Sequence, residues 1–497
     1  MKISTIFGLL IAIPFNLLQT SAIAPVLAQT PPNKNTPLCL ADLAAEISAI
    51  QKQTPRDRWG ILVQPLNSET PLYSENAQAY FTPASNVKLL TTAAALVKFG
   101  PDYRIVTPIY ASGLPPTLSR LHIAGRGDPS LTNEHLNAIA QQLKSQGVNT
   151  ISELWIEDTH FSTPGINGTW EYDDVHYYYG TAVNSLILNR NHFDLILQPQ
   201  NLNEPVQMTW NDDIAAQQWQ IVNHALTAAP DTPYNISIHG QLGEPQLHIR
   251  GELALDAGSD LWGIAYRDPT AYFRDRLLQI LSENGIHVVQ TRLISDPILP
   301  DTNAQSLAIH SPNLAVLIQN TNQPSDNLYA EALLYKIGIS LGFPATIENG
   351  LTALQDILAD IGVNPDSYSL QDGSGLSRQN LVSPEALVQT LIAMNNSPYA
   401  AVYRDSLPLA GENGTLRRRF QDTLFQGQLR AKTGTLTGVS ALSGYLEVQD
   451  YGTVAFSILL NHSTAPTSVQ QAAIDEIVLL FSRLQRCDRV SDSQDGV

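Results

Sequence analysis

The chain has 497 residues, 46 acidic and 28 basic, and a formal net charge of −18 at pH 7. That balance excludes the clustered basic surface that binding to nucleic acid or anionic lipid requires. Two cysteines and eleven histidines form neither a Cys-x-x-Cys pair nor a His-Glu-x-x-His segment, so no metal or other cofactor is expected.

Residues 1–28 read as a secretory signal: Lys2 starts it, an apolar run spans 6–18 with Pro14 inside it, and Val26-Leu27-Ala28 precedes Gln29. The run is too short and broken for a bilayer span of ~20 residues. After cleavage no transmembrane segment is expected, and the remaining length allows roughly three domains. A polar leader (29–36) is followed by an amphipathic helix at 40–50 and strands at 59–63 and 71–73.

Phe81-Thr82-Pro83-Ala84 leads into Ser85-Asn86-Val87-Lys88 and an apolar, breaker-free run at 89–97. Pro83 suits the first turn of a helix, and the spacing puts Ser85 and Lys88 on one helix face. A serine hydroxyl is a poor nucleophile until a base takes its proton. A lysine can be that base when burial and neighbouring cations depress its pKa. Alone, the segment reads first as a helix start with an exposed lysine.

From residue 99 strands and helices alternate, with a helix at 136–143, a strand at 153–156 and a further strand within 186–197. Gly125-Arg126-Gly127 lacks both the Lys-Ser/Thr of a phosphate loop and the spacing of a dinucleotide fingerprint, so it reads as a turn. Residues 201–255 are rich in Gln, Asn and Pro, with short strands at 236–238 and 246–249; a strong helix covers 269–284. The stretch 306–317 is expected to return to the first layer.

Ser325-Asp326-Asn327 runs into an apolar helix beginning at Leu328. Alone, Ser325 reads as an N-cap and Asn327 as a turn residue. A helix follows at 349–361. Lys432-Thr433-Gly434 lies in a strand–turn–strand–strand context, and a closing helix covers 469–484. Lys432 and Thr433 suit a substrate carboxylate, Gly434 the close approach of a substrate backbone, and the amides of Ser85 and Thr435 an oxyanion hole. Each motif alone is common. In this order they form the signature of active-site serine penicillin-binding proteins and β-lactamases, which points to acyl transfer at Ser85.

On these residues the chain resembles the D-alanyl-D-alanine carboxypeptidase/endopeptidases, the low-molecular-mass class C penicillin-binding proteins, from about residue 38 to about 484. The long stretch 89–324 between the first two motifs sets that family apart from compact β-lactamases. Gly125-Arg126-Gly127-Asp128-Pro129, Trp170-Glu171-Tyr172-Asp173-Asp174, Tyr179-Gly180-Thr181-Ala182-Val183-Asn184-Ser185 and Asp372-Gly373-Ser374-Gly375-Leu376-Ser377-Arg378 are similar to family segments. At Thr181-Ala182-Val183 the chain departs from the expected Ala-Pro.

The resemblance implies an α/β (α+β) fold. A β-lactamase/transpeptidase-like catalytic domain would be assembled from both chain ends (37–98 and 299–490), interrupted by an insertion domain (99–200 and 256–298) with a nested small β-rich domain (201–255). It implies Ser85 as nucleophile, Lys88 as base, Ser325 as proton relay and Asn327 as the holder of Lys88 and substrate. Lys432, Thr433, Gly434 and Thr435 would bind the terminal end of the substrate. Asp174 and Arg378 would take the polar end of a diaminopimelate side chain, with Thr437 lining that pocket. Its terminal helices lie side by side, so Cys39 and Cys487 are expected to form a disulfide, as suits an exported chain. The implied substrates are peptidoglycan stem peptides, with β-lactams as inhibitors, a periplasmic location and room for a homodimer. Two rivals stand: a serine β-lactamase, against which weighs the lack of a clear water-activating glutamate on a short loop after Ser325, with Glu385 left open, and a catalytically silent peptidoglycan-binding protein, against which intact Ser85, Lys88 and Ser325 weigh.

Overall fold

Both ends of the chain supply strands that are apolar along almost their whole length. Gly452–Asn461 is buried at nearly every position, and such a strand needs cover on both faces. In the computed structural model, which describes residues 37–487 except 163–164, 299–303 and 343, it finds that cover. The signal reading of 1–28 lies outside the described residues. An antiparallel sheet runs in the order Arg430–Leu436, Val439–Val448, Gly452–Asn461, Arg58–Pro65, Tyr73–Glu75.

Helices Leu40–Gln51 and Thr467–Leu480 cover one face, where Leu43, Ile47, Ile474 and Ile477 meet Phe456 and Ile458. Helices Val87–Phe99, Asn327–Gly338, Ile347–Asp360 and Pro384–Asn395 cover the other through Leu89, Leu90, Leu333, Leu354, Leu387 and Leu459. The two ends close on each other. Leu38 and Cys39 pair in parallel with Leu484 and Gln485, and Cys39 and Cys487 are joined by a disulfide with Cα atoms 5.7 Å apart.

The residues between the first two motifs build a second five-stranded sheet, ordered His287–Ile294, Thr150–Glu157, Thr117–Ala124, Val106–Leu114, Gln305–His310. Helices Asn133–Ser145 and Pro269–Glu283 pack on it through Leu136, Leu143, Phe273 and Leu277. Smaller sheets follow, including His192–Gln198 with Gln207–Trp210 and Asp260–Ala265, and Ser237–Gly240 with Gln246–Arg250 and Gln220–Asn223. The described residues from Leu38 to Cys487 form one compact unit.

Several expectations shift. The stretch at 306–317 does not return directly to the first layer: Gln305–His310 pairs antiparallel with Val106–Leu114, because its alternating pattern suits an edge of the inserted sheet, and catalytic-layer helices resume at Leu314. The strand expected at 71–73 is Tyr73–Glu75, and the helix expected at 469–484 ends at Leu480, followed by a 3₁₀ turn and the short strand Leu484–Gln485. The small β sheets extend beyond 201–255, since they draw on His192–Gln198 and Asp260–Ala265. Among the described residues no helix is long and apolar enough to cross a membrane.

Candidate active site

Ser85 sits in the 3₁₀ turn Ala84–Asn86, one step before the helix Val87–Phe99, and not inside the helix as its spacing suggests. The turn is built against the sheet. Asn461 accepts from the Thr82 amide at 2.7 Å and donates back to the Thr82 carbonyl at 3.0 Å. Ala84 is held at φ 48°, a region non-glycine residues rarely enter, and strain of this kind concentrates at functional sites.

Two glycines make room for that turn. A Cβ on Gly375, whose φ is +84°, would lie 1.9 Å from the Ala84 carbonyl oxygen. A Cβ on Gly434 would lie 2.7 Å from the Pro83 carbonyl oxygen and 3.1 Å from the Ala84 side chain. The bare face of Gly434 thus also makes room for the Ser85 turn, a constraint that its sequence context did not announce.

The Lys88 ammonium is fully buried and spends its donors on Ser85 Oγ at 3.0 Å, Asn327 Oδ1 at 2.6 Å and the Ser374 carbonyl at 2.6 Å. Burial lowers its pKa to about 8, against the opposing pull of Asp372, Glu331 and Asp326. Asp372 is itself saturated: it accepts from the amides of Gly375 and Ser377, the Asn380 side chain and the Trp170 indole. Glu331 accepts from the Gly373 amide at 3.0 Å, and burial together with the Asp372 charge raises its pKa to about 8. One acid in the otherwise apolar run Leu328–Leu334 was a signal that sequence reasoning passed over.

The second motif enters from the start of helix Asn327–Gly338. Asp326, not Ser325, is the N-cap, its carboxylate accepting from the Tyr329 amide at 3.1 Å. That frees the Ser325 hydroxyl, which accepts from Lys432 Nζ at 2.8 Å with the backbone at φ 65°. Asn327 holds Lys88 with its oxygen and donates to the Tyr179 carbonyl at 2.7 Å with its nitrogen. Lys432, also fully buried, is pushed well below the ordinary lysine range by burial and by the Lys88 charge. Thr433 donates to the Thr415 hydroxyl at 2.7 Å; Thr415 is a neighbour that no motif announces. Hydrogen bonds thus join Ser85, Lys88 and Asn327 in one group and Ser325, Lys432 and Thr433 in another, with Asp326 linking the two along the chain and the Lys88 charge felt by Lys432. Thr435 follows on the same edge strand, next to the Ser85 turn.

Asp174, Arg378 and Thr437 also come together. Arg378 donates to the Thr437 carbonyl at 3.1 Å, and Asp174 accepts from the Tyr179 hydroxyl, with burial and the Glu171 charge raising its pKa. Glu171 is the unforeseen member: its carboxylate lies 3.1 Å from Arg378 Nε. Glu385 is placed elsewhere, in the first turn of helix Pro384–Asn395, where it accepts from Gln78 at 3.4 Å.

Residues 43–483 match the model of the D-Ala-D-Ala carboxypeptidase 3 (S13) family. The chain belongs to that family. It is 32% identical over 455 residues to the D-alanyl-D-alanine carboxypeptidase of Actinomadura sp. (strain R39), covering 87% of this chain and 84% of that one. It is also 27% identical to penicillin-sensitive carboxypeptidase A of Dictyostelium discoideum, over 97% of this chain and 98% of the relative. Among solved structures, penicillin binding protein 4 of Haemophilus influenzae shares the fold, with a TM-score of 0.76 at 23% identity over 87% of this chain and 97% of that one.

Proposed function

We propose that this S13 family member is a serine-type D-Ala-D-Ala carboxypeptidase, active also as a D,D-endopeptidase on peptidoglycan stem peptides. The observation that carries the reading is the network from Ser85 through Lys88 and Asn327 on one side and Ser325 and Lys432 on the other. With a pKa of about 8, Lys88 has a neutral fraction near neutral pH that can take the Ser85 proton.

Ser85 Oγ attacks the carbonyl between two terminal D-alanines and forms an ester. The amides of Ser85 and Thr435 stabilise the oxyanion. The C–N bond breaks as the proton taken by Lys88 passes through Ser325 to the departing amine. Lys432 and Thr433 hold the terminal carboxylate, whose negative charge favours a protonated Lys432. Water then hydrolyses the ester. A cross-bridge presents the same acyl donor, so the same steps cleave it.

Asp174 and Arg378 supply an anion and a cation for the polar end of the stem peptide's side chain, with Thr437 beside them. The domain assignment from the resemblance is retained as a proposal, amended at 305–310. An oxidised Cys39–Cys487 pair and the signal-like residues 1–28 support export to the periplasm. β-Lactams mimic the acyl donor; the Haemophilus influenzae protein has been solved in complex with a novel β-lactam. The β-lactamase reading has the weaker support, since it needs a water-activating acid and Glu385 lies in the first turn of helix Pro384–Asn395 with its carboxylate near Gln78.

The test is mass spectrometry of the mature protein after mixing with a penicillin. One drug mass should be gained on the peptide containing Ser85, and Ser85→Ala should gain none. Rapid turnover of the drug without a lasting adduct would favour the β-lactamase, and no reaction at all the silent protein.

A further inference from the structure

Asp326 stands between two residues of the network, Ser325 and Asn327, and its own carboxylate is divided. One oxygen caps the helix through the Tyr329 amide. The other receives Arg190 Nη2 at 2.6 Å, with the Asp326 side chain 7% exposed. Arg190 comes from the inserted layer, ahead of strand His192–Gln198.

The backbone that delivers Arg190 is unusual. Asn189, Arg190 and Asn191 are all left-handed, at φ 50°, 60° and 53°. Asparagine tolerates that region and arginine gains nothing from it, so the surroundings must impose it. They do. The Asn191 side chain accepts from the Leu188 amide at 3.1 Å and donates to the Ala182 carbonyl and Asn184 Oδ1, each at 3.0 Å. The Asn191 carbonyl accepts from the Thr181 hydroxyl at 2.9 Å and the Tyr266 amide at 2.8 Å. Asn189 donates to Asn133 at 2.9 Å and to the Tyr272 hydroxyl at 3.1 Å. The elbow is over-determined, and its one charged side chain ends on the carboxylate of the second motif. The same stretch of the inserted layer supplies the Tyr179 carbonyl that holds Asn327.

We propose that Arg190 is a positioning residue for acyl transfer: by fixing the Asp326 carboxylate from the inserted layer it sets Ser325 and Asn327 against Lys88 and Lys432. Ser325 cannot anchor itself, since its hydroxyl is taken by Lys432 and its backbone is left-handed. The ion pair also has an electrostatic consequence. Lys88 is faced by the carboxyl groups of Asp372, Glu331 and Asp326, each of which favours its charged form, and Lys432 approaches it across the site. Around Asp326 itself stand Arg190 and the Tyr329 ring, and His192 Nδ1 meets the Arg190 carbonyl at 3.1 Å. Arg190 neutralises one of the three acids, and so helps keep the Lys88 base deprotonated.

The inference rests on the acyl-transfer reading, and its test separates the two. Penicillin acylation at Ser85 is timed across pH for the native protein, Arg190→Gln, Arg190→Lys and Asp326→Asn, with thermal unfolding recorded alongside. Arg190→Gln should acylate on the order of 10- to 100-fold more slowly, the scale of a small misplacement of reacting groups. With Asp326 left unpaired, the acid limb of its rate profile should move to higher pH. Arg190→Lys, which keeps the charge, should return the limb to its native place. Asp326→Asn, still a good N-cap, should move it to lower pH. A slower Arg190→Gln with an unmoved limb would mark Arg190 as merely structural and overturn the proposal. So would an Arg190→Lys limb coinciding with that of Arg190→Gln, or, if Arg190→Gln does not fold, an Asp326→Asn limb that stays in place. A native protein that is never acylated at Ser85 would remove the active-site reading, and this inference with it.

Discussion

At the scale of single residues, the site is a problem of placing two buried lysines close enough that the charge of one is felt by the other. Each is fully buried, and burial disfavours the ammonium form of both. The arrangement works if Lys88 is the one that gives up its proton and Lys432 keeps its own for an incoming carboxylate. The rate consequence has a definite sign. Lys88 acts as base only when neutral, so penicillin acylation should rise with pH as Lys88 loses its proton, with the midpoint of the acid limb near its pKa of about 8. A stopped-flow rate profile from pH 5 to 10 (about those limits) checks it, and a flat profile would count against Lys88 as the base. Glu171 gives a second case. It occupies Arg378, so a carboxylate-bearing substrate side chain must compete with it. Glu171→Gln should raise kcat/KM for peptides ending in a side-chain carboxylate by about 2- to 5-fold, the scale of one exposed ion pair, and leave penicillin acylation unchanged. Peptide kinetics showing the same preference before and after the change would remove Glu171 from recognition.

At the scale of elements, the three motifs were legible because each is a short contiguous segment whose side chains act within a turn of one another. The contacts of Lys88 with Ser85 and Asn327 were expected, but the residues packed around the motifs were not legible. Arg190 meets Asp326, Thr415 meets Thr433 and Asn167 meets the Gln371 carbonyl across separations of 136, 18 and 204 residues in sequence, and only the packing of the inserted layer on the helices brings the more distant pairs together. The edge strand at Gln305–His310 was misplaced for the same reason: alternation marks a strand but does not say which sheet it joins. Gly375 shows how tightly the elements meet. Gly375→Ala would put a methyl on the Ala84 carbonyl and force a side chain into φ +84°. It should slow acylation by roughly 100-fold through displacement of the Ser85 turn and cost on the order of 1–3 kcal/mol of stability. Gly434→Ala, which meets the same turn at 2.7 Å, should show the same pattern more mildly. Acylation rates and thermal melts of the two variants, measured side by side, decide the order.

At the scale of the molecule, the catalytic sheet is assembled from two ends of the chain, and the inserted layer lies between them in sequence. Arg58–Pro65 contributes from one end and Gly452–Asn461 from the other, and they pair along their full length. An unfolded chain must bring these segments together across several hundred residues, and the entropy of that closure is the cost that the Cys39–Cys487 bridge removes from folding. Its loop spans a sequence separation of 448. Loop-closure entropy for so long a loop corresponds to roughly 6 kcal/mol, and measured bridges commonly deliver less, on the order of 2–4 kcal/mol. The bridge clamps a specific seam: the parallel pairing of Leu38–Cys39 with Leu484–Gln485, beside the packing of Leu40–Gln51 on Thr467–Leu480. Replacing both cysteines by serine should therefore lower the melting temperature by several degrees and make Leu40–Gln51 the first segment to exchange its amide hydrogens. Penicillin acylation at room temperature should remain within about twofold, since neither cysteine touches the network and a variant a few kcal/mol less stable stays folded if stability is of ordinary size. Thiol titration of the denatured, unreduced native protein is the companion measurement: two free thiols per chain would show that the bridge does not form, and a double-serine variant melting with the native protein would show that the seam holds without it.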